Sequence, residues 1–400
     1  MKLASTEPPP QRQITPTSPT MCIRCIVDTT VPGHNFDEKG LCQYCRLHEK
    51  LEKRYPLNEK GERILKSLAA RIPKQGRSNK VDCLVGVSGG RDSTFTLYMC
   101  RKVWGLKPLA VHFNDGFGNP VAGENMRKAT DRLGVELRTV TSDWRESKDL
   151  RIAYLQASTP DLGTPTDIGI ANALYGVAHK EGIKYIIIGQ SFRTEGIAPL
   201  EWNYLDGTYL HTVHRLYGRT PLRKWTPLNP GFHLTFGHMF YYTVLKGIKT
   251  LPLLYYYPYV RREAEEILKK ELAWVYPGAH YYDDLYQSLM TYVMRTKFNI
   301  DRRKYNYSAL VRSGQMSKEE ALKRTQEIYT IEDPKVIDLC IKRLGLTRAE
   351  FDAFMALPPK TFRDYATSYD VIRFLKWPIQ VLSKLNIVPS ITYDKYFHCG

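Results

Sequence analysis

The densest group of residues that could carry chemistry runs from Ser88 to Ser93, with the sequence Ser-Gly-Gly-Arg-Asp-Ser. Two adjacent glycines let the backbone turn sharply and bring its N–H groups against a ligand with no side chain between them. The two serines add hydroxyl donors, and a helix that begins here adds the partial positive charge of its N-terminus. The segment predicts a loop that binds phosphate. It is not of the Walker type, because the G-x-x-x-x-G-K-[ST] spacing is absent.

All six residues of this segment are candidates for contact with the phosphate groups of a ligand: Ser88, Gly89, Gly90, Arg91, Asp92 and Ser93. Asp92 differs from the others, because an ionised carboxylate only accepts hydrogen bonds and cannot donate one to phosphate. It is better suited to cap the following helix or to help hold Mg²⁺, which prefers oxygen ligands. We therefore treat Asp92 as a candidate catalytic residue as well. The alternative is an ordinary glycine-rich turn between a strand and a helix.

Four cysteines form a second group, with the spacing of metal ligands. Cys22-x-x-Cys25 and Cys42-x-x-Cys45 are separated by residues 26–41, which is the two-knuckle spacing of a four-cysteine zinc site. Four thiolates fill every position of a tetrahedral Zn²⁺, so we expect a structural metal and not a catalytic one. A unit this small buries too little surface to fold alone, so the metal would contribute its folding free energy.

Segments that alternate between strand and helix surround the phosphate loop. Four short apolar runs predict strands: 81–87, 109–113, 135–140 and 185–188. Helical patterns separate these runs, which predicts an α/β fold with a doubly wound parallel sheet. Ligands in such sheets bind beyond the carboxyl ends of the strands. That edge would carry the phosphate loop together with Asn114, Asp115 and Gly189, which become candidate nucleotide-binding residues.

Composition and pattern divide the chain into five regions. They are a disordered leader rich in Pro and Thr (1–20), the zinc knuckle (21–50), a basic helical connector (51–79), the α/β nucleotide-binding domain (80–200) and a mostly helical domain for substrate binding or assembly (201–400). Regular alternation of strands and helices stops near residue 200, which motivates the last boundary.

The overall charge limits the partners less than the motifs do. The formal net charge is +17 at pH 7, which favours anions. Nucleic acid, an acidic membrane surface and a phosphorylated small substrate would each satisfy that charge. No apolar stretch is long enough to span a bilayer, and the first twenty residues lack the apolar region of a signal peptide. We therefore expect a cytoplasmic protein with no transmembrane segment.

The loop Ser88 to Ser93, placed after a buried strand, resembles the PP-loop of the ATP pyrophosphatases, written S-G-G-x-D-S. The resemblance implies that ATP with Mg²⁺ is bound, that a carbonyl or amide oxygen is adenylated, and that pyrophosphate leaves. A nitrogen or sulfur nucleophile then displaces AMP. Adenosine would lie near Asn114 and Asp115, for which a plain turn is the alternative interpretation.

The tRNA-thiolating enzymes, which can combine a basic chain, a zinc knuckle and a PP-loop, are a rival interpretation. Their chemistry needs redox cysteines or an iron–sulfur cluster, because sulfur must be carried by sulfur. Cys83 lies in the first predicted strand and Cys100 in the first helix, where a small buried hydrophobic residue is expected. No cysteine occurs between Cys100 and Cys340. We therefore disfavour thiolation and expect no nucleic-acid partner.

Further motifs resemble the N-acetyl sugar amidotransferases of surface-polysaccharide and nonulosonate biosynthesis. In chain order they are Thr164-Pro-Thr-Asp167-Ile-Gly, Gly189-Gln-Ser-x-x-Thr194-Glu195-Gly196, Trp202, Tyr276-Pro-Gly278-Ala-His280-Tyr281, Lys297-Phe298-Asn-Ile-Asp301-Arg302-Arg303-Lys304, Ser308, Ser313-Gly314-Gln315-Met316 and Glu320-Ala321-Leu322. The similarity covers roughly residues 21 to 330, and several linked motifs arise by chance far less readily than one.

This resemblance implies a nucleotide-linked N-acetyl sugar as substrate, in the biosynthesis of O-antigen, lipopolysaccharide or a related surface glycan. Its acetamido oxygen would be adenylated, and ammonia would then give an acetamidino group. No glutaminase motif, with a nucleophilic cysteine paired to a histidine, is visible in the chain. Ammonia would therefore come from a separate glutaminase, accompanied by a cyclase-like subunit, both similar to those of histidine biosynthesis.

The resemblance also assigns site residues outside the phosphate loop. Asp167, Glu195 and His280 join Asp92 as candidate catalytic residues, since protons must leave ammonium as the amidine forms. The candidates for substrate binding are Thr194, His280, Asp301, Arg302 and Arg303. Arginine suits recognition of a phosphate or uronate, because its guanidinium forms two parallel hydrogen bonds. Solvated loop carboxylates, a structural histidine and a charged helix end are the alternatives.

One departure from the family pattern affects these assignments. Tyr282 stands where the pattern has a Glu, with Asp283 and Asp284 just beyond it. Either aspartate would replace that carboxylate, or its role is lost. In the latter case a third interpretation applies, in which the chain is a non-catalytic scaffold that binds zinc and nucleotide for the glutaminase and the cyclase. The intact phosphate loop argues against that interpretation.

Overall fold

A parallel sheet of five strands is the framework of the protein. The computed structural model describes residues 21–75, 80–225, 228, 233–277, 284–384, 387, 393–394 and 396–397. The strands are β1 (Cys83–Gly86), β2 (Pro108–Asn114), β3 (Leu137–Thr141), β4 (Tyr185–Ile187) and β5 (Lys249–Leu251). Every neighbouring pair is parallel, and the order across the sheet is β3-β2-β1-β4-β5. The α/β class and the parallel sheet expected from the sequence are confirmed.

Both faces of the sheet are buried, which explains the nearly continuous apolar runs. Along β1, Leu84 packs into the core on one face, whereas Cys83 and Val85 pack into the core on the other. In β4, Ile186 and Ile187 likewise point to opposite faces. Because successive side chains of a strand point to opposite faces, each strand needs apolar residues at consecutive positions.

Helices cover both faces. The described residues contain sixteen α-helices: α1 (Gln43–Arg54), α2 (Glu59–Gln75), α3 (Arg91–Tyr98), α4 (Pro120–Leu133), α5 (Trp144–Ala157), α6 (Thr164–Lys180), α7 (Gly207–Tyr217), α8 (Phe236–Phe240), α9 (Arg261–Leu272), α10 (Tyr286–Phe298), α11 (Arg303–Arg312), α12 (Lys318–Gln326), α13 (Pro334–Arg343), α14 (Arg348–Ala356), α15 (Tyr369–Phe374) and α16 (Lys376–Lys384). Helices α2, α3, α4 and α9 pack on one face, and α5, α6, α7, α10 and α13 pack on the other.

The fifth strand lies inside the region that the sequence analysis assigned as mostly helical. β5 has only three residues and pairs with β4, with Thr250 opposite Ile186. A strand this short leaves no periodic pattern in the sequence, and its pairing depends on a neighbour more than sixty positions earlier in the chain. Residues after 200 therefore complete the sheet and share both of its cores with the residues before them.

The cysteine unit packs against distant parts of the chain. Its apolar residues share a core with Phe192 and Ile197. Lys318 Nζ donates a hydrogen bond of 2.7 Å to the Cys22 carbonyl, and Lys304 Nζ lies 2.8 Å from the Asp28 carboxylate. These contacts anchor a unit that buries little surface by itself.

Two further expectations concern the N-terminal leader and the absence of a transmembrane segment. The leader predicted for residues 1–20 lies outside the described residues. Among the residues that are described, no helix has both the length and the apolar character needed to cross a bilayer.

Candidate functional site

The phosphate loop links the end of β1 to the start of α3. The Ser88 backbone N–H donates to Ser93 Oγ at 3.1 Å, and the two serine hydroxyls are also 3.1 Å apart. Gly90 is the N-cap of α3, and its N–H donates to Ser88 Oγ at 3.4 Å. The two serines therefore close the loop at the amino end of a helix, where the helix dipole favours a bound anion.

Gly89 occupies a position that no other residue fits. Its φ is +80°, and a Cβ atom there would lie 2.0 Å from the carbonyl oxygen of Ala122. The Gly89 carbonyl accepts hydrogen bonds from Trp274 Nε1 at 3.0 Å and from Asn125 Nδ2 at 3.3 Å. The first glycine of the loop is thus needed for a left-handed backbone and for close packing on α4.

The loop after β4 approaches the phosphate loop closely. A Cβ atom on Gly189 would lie 2.8 Å from the Asp92 carbonyl oxygen and 2.9 Å from the Ser93 nitrogen. β1 and β4 are neighbours in the sheet, whereas β2 pairs with the other edge of β1. The chain order therefore reverses between β1 and β4, which is the point where open α/β sheets bind their ligands.

A cavity of about 810 Å³ opens at this edge of the sheet. Eight of the candidate binding and catalytic residues line it: Ser88, Ser93, Asn114, Asp115, Asp167, Gly189, Glu195 and Arg302. Gly196, Trp202 and Asp284, which the sequence analysis also named, line it as well. The volume lies within the range of small-molecule and cofactor sites. The fold thus brings together residues from distant parts of the sequence, while their roles in binding and catalysis stay predictions.

The other candidates lie elsewhere. Seven of them are absent from the cavity wall: Gly89, Gly90, Arg91, Asp92, Thr194, Asp301 and Arg303. The Thr194 side chain is fully buried, with its hydroxyl 3.4 Å from the Ser191 carbonyl that accepts its hydrogen bond. His280 and Tyr282 fall outside the described residues.

Arg91 is held by carboxylates behind the loop. Its Nε donates to Asp92 Oδ1 at 2.7 Å, and its Nη1 donates to Glu265 Oε1 at 2.8 Å. The Tyr259 hydroxyl also donates to Asp92 Oδ1. Arg91 and Asp92 are both buried. The charged residues of the loop therefore neutralise one another behind the cavity wall, and its hydroxyls line the cavity.

Glu195 contacts this buried group from the cavity side. Burial raises the pKa of the Glu195 carboxyl well above its usual value, and the neighbouring Asp92 carboxylate raises it further. Arg261 and Arg91 act in the opposite direction, because their positive charges favour the ionised carboxylate. The Asp92–Glu195 pair therefore retains a proton to a higher pH than an isolated glutamate would.

Asp115 sits in a buried network at the end of β2. The guanidinium of Arg151 on α5 pairs with its Oδ2, and Thr166 Oγ1 donates to the same oxygen at 2.8 Å. The Phe117 N–H donates to Oδ1 at 3.1 Å. Arg151 is only 1% exposed, so this ion pair is shielded from water. Asp115 thus has a structural partner as well as a place in the cavity wall.

Only Arg302 of the basic run 301–304 lines the cavity. It donates to Gln287 Oε1 on α10 at 2.8 Å. Arg303 points elsewhere: it pairs with Asp301 at 2.7 Å and donates to the Glu327 carbonyl at 2.7 Å. Arg303, oriented by Asp301, therefore joins the start of α11 to the end of α12 through the Glu327 carbonyl.

The sequence analysis missed several polar residues of the site. Asn203 adjoins a motif that it singled out, and Thr166 lies inside one without having been named as a site residue. Asn203 Nδ2 lies 3.4 Å from Asp167 Oδ2. Arg151 and Gln287 lie in helices with no motif around them. They reach the site because α5 and α10 pack against the sheet. This packing depends on distant parts of the chain, so no short sequence pattern predicts it.

The four cysteines meet as their spacing predicts. The ligand atoms of Cys22, Cys25, Cys42 and Cys45 all lie within 4.8 Å of one another. The Sγ atoms of Cys22 and Cys45 are 3.8 Å apart, and those of Cys25 and Cys42 are 3.6 Å apart. A tetrahedral zinc with bonds of about 2.3 Å requires sulfur atoms about 3.8 Å apart. The cluster is therefore compatible with Zn²⁺.

Arg193 connects the cysteine unit to the motif between Gly189 and Gly196. It donates to Glu52 on α1 at 2.7 Å, to the Tyr55 carbonyl at 2.8 Å and to the Tyr255 carbonyl at 2.7 Å. Its guanidinium is almost completely buried. Through Arg193, the segment after β4 that carries Glu195 is thus bound to α1 and to the residue that follows it, next to the cysteine unit.

Comparison with known proteins points to surface-glycan biosynthesis. Residues 279–378 match the family described as "LPS biosynthesis protein WbpG-like, C-terminal domain". The matched region includes α10, which carries Gln287, and the start of α11 beside Arg302. This part of the chain is therefore similar to a domain of lipopolysaccharide biosynthesis proteins.

A second similarity extends over most of the chain. An uncharacterized protein from Methanocaldococcus jannaschii is 24% identical over 319 residues, which is 78% of this chain and 94% of that protein. Its description assigns no activity. The similarity therefore extends well beyond the C-terminal region matched by the family above.

Proposed function

We propose that this protein is an ATP-dependent amidotransferase of surface-glycan biosynthesis. It would adenylate the acetamido oxygen of a nucleotide-linked N-acetyl sugar and replace that oxygen with ammonia, releasing pyrophosphate and AMP. The observation that carries the proposal is the convergence of Ser88, Ser93 and Gly189 on one cavity at the β1–β4 edge of the sheet. The similarity to lipopolysaccharide biosynthesis proteins supports the choice of substrate.

The phosphate loop would bind the β- and γ-phosphates of ATP. Its hydroxyls and the N-terminus of α3 offer donors and positive potential, while the charged Arg91 and Asp92 are already paired with each other. Mg²⁺ would neutralise charge on the phosphate oxygens, and the carboxylate of Asp92, which is buried behind the cavity wall, would have to leave its pair with Arg91 to bind this ion. The loop thus positions the α-phosphorus for attack by the acetamido oxygen, and positioning is the larger part of phosphoryl and nucleotidyl transfer.

Glu195 is the residue best suited to move a proton. Ammonia attacks the adenylated carbon, a C–N bond forms, the C–O bond to AMP breaks, and nitrogen must lose protons as the amidine forms. When it is ionised, a carboxylate with a raised pKa is a stronger base than an ordinary glutamate, so Glu195 would have to give up its own proton before it takes one from nitrogen. Asp167 also lines the cavity, and His280 stays a predicted participant.

Arg302 would recognise the nucleotide handle or an acidic group of the sugar. It lies in the cavity wall and is oriented by Gln287. Its planar guanidinium can donate two parallel hydrogen bonds to a phosphate or a carboxylate. The ammonia would come from a separate glutaminase with its cyclase-like partner, which docks on this chain.

Thiolation of tRNA is the weaker proposal. Outside the metal cluster, the described cysteines Cys83, Cys100 and Cys340 are all fully buried. A sulfur carrier has to reach the adenylated base, so it needs an exposed thiol or cluster. No described cysteine offers one.

The decisive experiment measures AMP and pyrophosphate together with the mass of the sugar. Purified protein would receive ATP, Mg²⁺, ammonium and candidate nucleotide-linked diacetamido sugars, each in turn. We expect AMP release that depends on the sugar, with one oxygen of the sugar replaced by NH. AMP release that depends on tRNA and a sulfur donor, with no change in the sugar, would overturn the proposal. So would the absence of any turnover in the presence of the purified glutaminase and cyclase subunits.

A further inference from the structure

The helices α15 and α16 present two different faces. On the inner face, Ile372, Ile379 and Leu382 line the cavity. On the outer face, Phe374 and Trp377 are 88% and 72% exposed. One pair of short helices therefore forms a wall of the cavity and, at the same time, an apolar surface in water.

The exposed apolar side chains form a stripe. Val371, Phe374, Trp377 and Val381 follow one another at intervals of three or four residues, and all four are exposed. Val371 and Phe374 lie one turn apart on α15, and Trp377 and Val381 lie one turn apart on α16, so each pair shares one side of its helix. Isolated exposed apolar residues are ordinary on protein surfaces, whereas a stripe of four with two large aromatic rings marks a binding surface.

Basic side chains flank this stripe. Arg373, Lys376 and Lys384 are exposed, and the helices contain one acidic residue, Asp370. The formal net charge of the whole chain is +17, so the potential around the helices reinforces the local charge. Apolar rings between Lys and Arg side chains are the pattern of a helix that lies in the interface of an anionic membrane, with Trp at the level of the headgroups.

We propose that α15 and α16 bind the surface of an anionic phospholipid bilayer, with Phe374 and Trp377 inserted at the boundary between the headgroups and the acyl chains. Arg373, Lys376 and Lys384 contact the lipid phosphates. The protein lies on the membrane and does not span it. Because Ile372, Ile379 and Leu382 line the cavity on the inner side of these helices, lipid binding places that wall of the cavity next to the membrane surface. This inference does not depend on the reaction proposed above.

The test is co-sedimentation of the full-length protein with vesicles. One set contains phosphatidylcholine alone, and the other contains phosphatidylcholine mixed with phosphatidylglycerol. We expect binding to the mixed vesicles, little binding to the neutral ones, and weakening by salt. Phe374→Ser combined with Trp377→Ser should lower the partition coefficient by about tenfold or more, since it removes the inserted rings. Arg373→Gln with Lys376→Gln should abolish the preference for phosphatidylglycerol.

Ile328→Ser is the matched control, because Ile328 is 90% exposed but lies outside these helices. It should bind vesicles like the unaltered protein. Thermal unfolding of every variant checks folding, and Trp377→Ser alone provides a milder change if the double variant is unstable. Equal vesicle binding by the unaltered protein and by the variant with Phe374→Ser and Trp377→Ser would overturn the proposal. Failure of the unaltered protein to bind vesicles would also overturn it. If that protein instead forms a dimer that Phe374→Ser with Trp377→Ser abolishes, the stripe is a dimer interface and the proposal is wrong.

Discussion

The phosphate loop and a second part of the cavity wall are built in different ways. The loop is made from residues 88–93, and its shape depends on two serines and one left-handed glycine. The second part of the wall combines Asp115, Asp167 and Arg302, which come from three separate parts of the chain. Each of these is oriented by a partner on another element, such as Arg151 for Asp115. The loop is a local structure, whereas the wall exists only when the helices pack.

This difference shows what each region can tolerate. A change of the Ser88 or Ser93 hydroxyl alters the site directly and leaves most of the packing intact, whereas Gly89 also packs against α4. A change among the partners of the wall removes a buried contact, so it lowers the free energy of unfolding before it alters chemistry. The cysteine cluster belongs with the wall in this respect, because its unit holds the segment that carries Glu195 through Arg193.

Removal of zinc is expected to have the largest effect. Structural zinc sites contribute about 10 kcal/mol or more of apparent binding free energy in small zinc domains. A chelator at neutral pH should therefore lower the thermal unfolding temperature sharply, and added Zn²⁺ should restore it. Metal analysis should find zinc bound to the purified protein. Cys42→Ser should make the protein insensitive to the chelator, and an unaltered unfolding temperature on chelation would contradict a structural metal.

Arg151→Met tests the buried partner of the wall. The substitution keeps most of the side-chain volume but leaves the Asp115 carboxylate without its buried cation, at a cost of about 3–5 kcal/mol. Urea denaturation would measure this loss. Adding Asp115→Leu to Arg151→Met should recover part of it, since the unpaired charge is then gone. A loss below about 1 kcal/mol for Arg151→Met would show that water reaches the pair.

Gly89→Ala tests the loop. The new methyl group would lie 2.0 Å from the Ala122 carbonyl oxygen, and the residue would have to keep φ at +80°. We expect kcat/KM for ATP to fall by about a hundredfold or more, because the donors are displaced from the phosphate. Gly123→Ala on α4 is the control, since nothing lies within 4 Å of the place that its new methyl group would take. Equal activity of both variants would contradict a phosphate-binding loop.

Arg302→Lys and Arg303→Lys separate a wall residue from its neighbour. Lysine keeps the charge at position 302 but loses the planar fork, so KM for the nucleotide sugar should rise about tenfold with kcat nearly retained. Arg303→Lys should instead lower the unfolding temperature with KM unchanged, because Arg303 binds Asp301 and backbone carbonyls. The reverse pattern would assign substrate recognition to Arg303.

Glu195→Gln is expected to have the smallest effect on stability, and that effect depends on pH. The folded pKa of Glu195 is raised above its ordinary value of 4.5, so the folded state binds its proton more tightly than the unfolded state does. Its contribution is therefore fully present below pH 4.5 and is lost as the pH rises through the folded pKa. In a plot of the free energy of unfolding against pH, Glu195→Gln should remove the decrease that occurs as the pH rises through the folded pKa of Glu195. If the decrease is unchanged in the variant, a group other than Glu195 carries the proton.

The predictable part of the site consists of short motifs. Strand-to-helix alternation, the phosphate loop and the paired cysteines each lie within a few consecutive residues, and the structure has the α/β fold and the close cysteines that they indicate. The basic run 301–304 shows where this reasoning stops. Arg302 and Arg303 look alike in sequence, yet only Arg302 lines the cavity, because the direction of each side chain is set by how α11 packs.

By itself, the sequence determined the features that depend on local backbone conformation and on residue spacing. Four of the five strands, the left-handed glycine of the loop and the four thiols are of this kind, since their causes act within a few residues. Only the tertiary structure decided that β5 completes the sheet, that Arg151 neutralises Asp115 and that Glu195 meets Asp92. These depend on contacts between residues far apart in the chain, and such contacts form only when burial of the two apolar faces of the sheet brings the helices together.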